Sequence, residues 1–201
     1  MSGVLLIAHR SGAPVDPGMA EPMLTALAGR GPDGCRLVHR GPLLLGHLHH
    51  WTTPEEVGEA QPLEDRDSGL LMAMDGRLDN RDEVADQLAI DQETRRGMSD
   101  AALALAAFRR WDEACFSRLL GPFAILVAEP RSGRVVCARD ALGDRTLVMH
   151  TGSELLTVAS EESALIRCPW VSERVDEAST VRFLALRAPV EGATFFTDVS
   201  E

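Results

Sequence analysis

Apolar runs that come in pairs about short turns constrain this chain most. Pro122–Ala128 and Val135–Ala138 flank Pro130-Arg131-Ser132-Gly133, and Thr146–Met149 and Leu155–Ala159 flank Thr151-Gly152-Ser153. Each pair reads as a hairpin, because apolar runs of strand length close on turn-forming residues. Cys35–Val38 and Leu43–His49 repeat the pattern across Arg40-Gly41-Pro42. Val4–Ala8 and Gly69–Met74 read as further strands, the second followed by an Asp75-Gly76 turn. Helices are predicted over Pro17–Leu27, Asn80–Leu88, Ser99–Arg110 with Ser99 as N-cap, Glu161–Arg167 and Glu177–Leu186. Hairpins with helices inserted between them imply antiparallel sheets under helical covers, an α+β fold. At 201 residues the chain is long enough to bury a sizeable core.

Charge removes several functions. The net charge is −11, and all twenty basic residues are Arg, with no Lys. An acidic chain lacks the basic footprint that a nucleic-acid backbone needs, and it is repelled by an anionic membrane surface. No stretch approaches the ~20 apolar residues of a membrane span, and Val4–Ala8 is too short for a signal-peptide core. The four cysteines, Cys35, Cys115, Cys137 and Cys168, form no CxxC pair. They read as buried free thiols of a cytoplasmic protein. His47 and His49 share a strand face, but no carboxylate or cysteine stands near them in a ligand pattern, so no metal site is expected.

Several segments, in order, resemble the glutamine-amidotransferase domain of asparagine synthetases. Met1-Ser2-Gly3-Val4 resembles the family opening Met-Cys-Gly-Ile, and Arg30-Gly31-Pro32-Asp33-Gly34 its RGPDG. Gly46-His47-Leu48-His49 falls at GHxR, Gln61-Pro62 at QP, Asp75-Gly76-Arg77-Leu78-Asp79-Asn80 at NGEIYN and Ser99-Asp100 at SDTE. Leu120–Ala124, Ala138-Arg139-Asp140 with Gly143, Ala159-Ser160-Glu161 and Thr194-Phe195-Phe196 continue the series. The resemblance implies an amino-terminal-nucleophile (Ntn) hydrolase-like fold, a four-layer α/β/β/α sandwich with two antiparallel sheets. It divides the chain into a glutamine amidotransferase type 2-like domain at 1–175 and, at 176–201, a lead-in to an ATP-dependent synthetase domain, whose SGGxDS phosphate loop is not found here.

The resemblance also implies that the glutamine site is dismantled. The family's nucleophilic cysteine, which uses its own free amine as base, is Ser2 here, a weaker nucleophile at neutral pH. The arginine that clamps the substrate carboxylate is His49, which lacks a fixed charge and a fork. The asparagine that donates to the oxyanion is Asp75, which as a carboxylate has no hydrogen to give. Arg77 replaces an acidic residue, whereas Gly76 and the amine-binding Asp100 are kept, so Ser2 is expected to face Gly76 and Asp100. Plainer readings stand beside these: Asp75-Gly76 as a simple hairpin signal, and Arg139-Asp140 as a structural ion pair or part of an interdomain surface.

No cofactor is expected in this chain. ATP and magnesium are implied for the synthetase domain, which would activate a carboxylate for attack by an amine. β-Lactam synthetases and lasso-peptide cyclases resemble this arrangement, with degenerate first domains. The implied partners are that synthetase domain and a small-molecule or peptide substrate, with a homodimer left open. The competing readings are a glutamine-hydrolysing asparagine synthetase with an engineered Ser2, a serine-type Ntn amidohydrolase, and a pure interaction module.

Overall fold

The computed structural model describes residues 1–201 as two antiparallel sheets packed face to face, each covered by helices on its outer side. The first sheet holds β1 (Gly3–His9), β2 (Gly34–Arg40), β3 (Leu43–His49), β8 (Val148–Thr151) and β9 (Leu155–Ala159), in the order β2-β3-β1-β9-β8. The second holds β4 (Leu63–Glu64), β5 (Leu71–Gly76), β6 (Phe123–Glu129) and β7 (Arg134–Arg139), in sequence order.

Strand alternation sends successive residues to different cores. Leu5 and Ile7 pack beneath α1 (Glu21–Leu27) and α5 (Glu162–Ile166), with Met23, Leu27, Ala164 and Leu165. Val4, Leu6 and Ala8 face the other way and meet Leu71, Ala73, Ala124 and Leu126 of the second sheet. Met72, Met74, Phe123, Ile125 and Val127 form a third core with Val84 of α2 (Arg81–Gln87) and Leu103 and Phe108 of α4 (Asp100–Trp111). Three cores separating four layers make the α/β/β/α sandwich.

The hairpins stand where expected, as does the α4 cap, where Ser99 Oγ accepts from Ala102 N at 3.1 Å. The predicted Pro17–Leu27 helix is a 3-10 turn over Pro17–Ala20 followed by α1. Asp75 and Gly76 do not form a turn: they extend β5 and pair with Ala124 and Phe123. Arg139 and Asp140 do not pair with each other: Arg139 reaches Glu201 at 3.0 Å, and Asp140 is a buried backbone acceptor. Cys35 is exposed, and of the other thiols Cys115 and Cys168 are buried. No helix is long and apolar enough to cross a membrane.

Four elements went unforeseen: α3 (Gln92–Arg96), the short β4, and 3-10 turns over Ala28–Arg30 and Asp112–Arg118. The last helix, α6 (Glu177–Leu184), buries none of its residues and leaves Val181, Phe183 and Leu184 exposed. After it the chain returns: Ser200 bonds Met149 at the edge of the first sheet, and Val199 is buried.

Candidate functional site

Ser2 precedes β1, the middle strand of its sheet, so its position is set by the ladders to β3 and β9. Ser160 tightens this end of the strand: its hydroxyl accepts from Val4 N at 2.8 Å. The Ser2 hydroxyl accepts from His50 N at 3.2 Å. The Ser2 amide donates to Asp75 Oδ1 at 2.9 Å, across from one sheet to the other.

Asp75 is 3% exposed. Arg30 Nη1 lies 3.6 Å from its Oδ2, and Arg145 Nη1 lies 4.0 Å from its Oδ1. Arg30 is shared: its Nη1 donates to the Ser2 carbonyl at 3.1 Å and its Nε to Glu161 at 2.5 Å. Burial raises the pKa of Asp75, and the guanidiniums of Arg145 and Arg30 only partly offset that. Arg145 is delivered by Asp140, whose carboxylate accepts the amides of Phe123, Leu142, Asp144 and Arg145 at 3.3, 3.1, 3.0 and 3.0 Å.

His49 does not replace the guanidinium. Its Nδ1 lies 2.7 Å from His47 Nδ1, and His47 Nε2 lies 3.0 Å from the Met74 carbonyl. A carbonyl only accepts, so the network assigns the proton to His47 Nε2, and His49 Nδ1–H must donate to His47. Burial, reinforced by His49, pushes the His47 pKa down to about 3, and burial also lowers that of His49. Both rings are neutral at pH 7, and the His49 ring stacks on Trp51 at 6.1 Å.

A group with a depressed pKa stabilises the fold above its unfolded value and loses that stabilisation as pH falls toward the folded one. For His47 the window runs from 6.5 down to about 3. Between pH 7 and pH 4.5 this ring is expected to contribute a loss on the order of 2 to 3 kcal/mol. Urea unfolding of the protein and of His47→Gln at both pH values measures it. A variant that loses as much stability as the wild type would remove His47 from the account.

The other predicted residues sit differently. Gly76 lines the recess beside Ser2. Arg77 points to solvent and pairs with Asp79 at 2.8 Å. Asp100 lies behind the recess, where its Oδ2 accepts from Leu78 N at 2.8 Å and Arg81 stands 3.5 Å from its Oδ1. Glu59 takes the nearer position: it accepts from the Ser99 hydroxyl, and from Gln61 Nε2 at 3.0 Å, while Gln61 Oε1 accepts Met74 N at 2.7 Å. Thus Ser2, His49, Asp75 and Gly76 come together, and Arg77 and Asp100 do not join them. Arg30, Gln61 and Glu161 were visible as motif positions, but nothing in the sequence marked Arg145 or Glu59.

The space left among these groups is about 40 Å³, room for water and not for an amino acid. No three of His, Cys, Asp and Glu are grouped to hold a metal ion.

The glutamine amidotransferase domain family matches residues 1–201. Among curated proteins the chain is 29% identical to asparagine synthetase [glutamine-hydrolyzing] 1 of Bacillus subtilis over 143 residues, 65% of this chain and 22% of that one. It is 26% identical to amidase chyE of Penicillium rubens over 141 residues, 70% of this chain and 21% of that one. The chain therefore spans about a fifth of the length of these relatives. A glutamine phosphoribosylpyrophosphate amidotransferase of B. subtilis, solved with ADP and GMP, superposes with a TM-score of 0.63 at 22% identity, over 81% of this chain and 42% of that one. At that identity the likeness concerns the fold alone.

Proposed function

This chain belongs to the family of glutamine amidotransferase domains, and from that premise we propose that it is a non-hydrolysing member: the amino-terminal domain of an asparagine-synthetase-like, ATP-dependent amide ligase. The observation that carries this reading is the filled recess, about 40 Å³, with a carboxylate bonded to the Ser2 nitrogen. Small-molecule sites generally hold ~300–1,000 Å³. Attack on an amide builds negative charge on the carbonyl oxygen, and loss of one oxyanion donor costs about 100- to 1000-fold in rate. Asp75 goes further than loss, since its carboxylate repels that charge.

Two observations support the ligase part. The matched relatives include asparagine synthetases of which the aligned stretch covers only 22% and 23%. The exposed apolar face of α6, continued by Leu186 and Val190, is suited to burial against a second domain. In such a ligase, ATP and magnesium would act on the second domain. With no ammonia supplied from this one, the attacking amine would come from the substrate, giving an intramolecular amide, as in a lasso-peptide (macrolactam) cyclase.

The test is glutamate release from glutamine by the protein and by Ser2→Cys. Both are expected to stay at background, because restoring a thiol leaves His49 neutral, Asp75 in place and the recess filled. Release by Ser2→Cys at an enzymatic rate would show an intact pocket with a single lesion and would sink this reading.

A further inference from the structure

The nitrogen that Asp75 holds is the one that becomes the α-amine once Met1 is removed. Met1 is 57% exposed, and its ammonium rests on His50 Nδ1 at 2.7 Å. No buried contact secures it, and the small side chain of Ser2 suits methionine removal. We propose that in the processed chain the Ser2 α-amine is held as an ammonium by Asp75, a positioning residue that withdraws the free-amine base from the site. This deepens the non-hydrolysing reading and rests on it.

The surroundings determine the direction. From β5, Asp75 stands 2.9 Å from the nitrogen. From the turn after α1, Arg30 lies 3.6 Å from Asp75, but its Nε is already engaged by Glu161 at the start of α5. From the loop before β8, Arg145 is 4.0 Å from Asp75, beyond hydrogen-bond contact. From β3 and the residue after it come His47, His49 and His50, the first two neutral. From the loop between β3 and β4 come Glu56 and Glu59, which add negative charge.

The Ser2 nitrogen is thus the only donor in direct contact with the buried Asp75 carboxylate. A proton on the amine completes a close ion pair with a carboxylate that is almost wholly buried. Removing it would leave the carboxylate with cations only at 3.6 and 4.0 Å. Opposite charge at this range favours the charged amine and raises its pKa. Only the unprotonated amine can take a proton from the Ser2 hydroxyl, so the pair that orders the amino terminus also silences it.

The chain makes the measurement direct. Residues 1–201 contain no lysine, so within them the α-amine is the only primary amine. Acetic anhydride acylates the neutral amine and not the ammonium, so labelling as a function of pH, read by mass spectrometry of the intact chain and its amino-terminal peptide, titrates this one group. The expected results are a mass lacking Met1, and an inflection in the folded protein above the ordinary α-amino range of ~7.7–8.0 that returns to that range in concentrated urea. In Asp75→Asn the inflection should fall, and labelling near neutral pH should rise about tenfold for each pH unit of fall. Retained Met1, a folded inflection at or below the urea value, or an unchanged profile in folded Asp75→Asn would each overturn the proposal. Should Asp75→Asn fail to fold, the comparison of folded and urea-unfolded wild type decides alone. Glutamate release from the same preparation separates the two readings. Release with a raised amine pKa refutes the non-hydrolysing reading, and no release with an ordinary amine pKa refutes only this inference.

Discussion

Asp140→Ala is expected to destabilise the fold by about 4 kcal/mol, a large share of the ~5–15 kcal/mol that holds an ordinary domain together. The carboxylate is 6% exposed and accepts four backbone amides, two on each oxygen. Removing it leaves those N–H groups, that of Phe123 buried and the other three partly buried, without their partner, and the charge-assisted bonds lost are the stronger kind. Burial acts to raise the Asp140 pKa, but the amides of Arg145, Asp144, Leu142 and Phe123 together bring it below the ordinary value. Its contribution is therefore present at neutral pH and is lost only as pH falls through the acid range. Asp140→Asn should recover little, because whichever way the amide is turned its NH₂ faces two donors. Denaturant unfolding of both variants is the measurement. A loss under ~1 kcal/mol in Asp140→Ala would mean that the loop finds other acceptors.

Gly76→Ala should cost at least ~3 kcal/mol and yield little folded protein. Gly76 has a φ of +151°, and a Cβ there would overlap the Pro122 carbonyl oxygen and lie 2.6 Å from Phe123 Cα. Both obstacles are backbone, at and just before the start of β6, and the Pro122 carbonyl is held by Arg77 N at 2.9 Å, so neither can rotate aside. Thermal unfolding of any soluble variant checks this. A melting temperature within a degree or two of wild type would show that the edge of β5 yields more readily than its geometry indicates.

Much of this architecture could be read from the residues. Apolar runs of strand length closed by turn-forming residues identify β2, β3, β6, β7, β8 and β9, because a strand buried on one or both faces leaves that pattern. The helix α3 leaves no such trace: it has five residues, buries none, and is held at its start by Asp91, which accepts from Glu93 and Thr94. β4 is two residues long, too short for any periodicity. Asp75-Gly76 reads as a turn because Asp-Gly favours one, yet pairing with β6 keeps it extended.

The candidate site divides in the same way. Ser2, His49, Asp75 and Gly76 were accessible through ordered motifs. The contacts that give Asp75 its setting were not: Arg30 and Glu161 stand in motifs and Arg145 does not, but all three reach Asp75 or one another across as many as 131 residues of sequence. Long-range ion pairs leave no local signature. The filling of the recess was hidden for a related reason: Glu59 reaches Ser99 across 40 residues.

The walls of this recess differ in how firmly they are held. Ser2 and Asp75 hang from strands whose side chains are almost wholly buried, whereas residues 51–60 cover them with turns and bends, an exposed Val57, and a Glu56 carboxylate that bonds Thr52 and Thr53. A segment with so little buried apolar surface sits at the low end of local stability. The residues that cover the site are thus the ones suited to open locally, while the floor beneath them stays fixed by the two sheets.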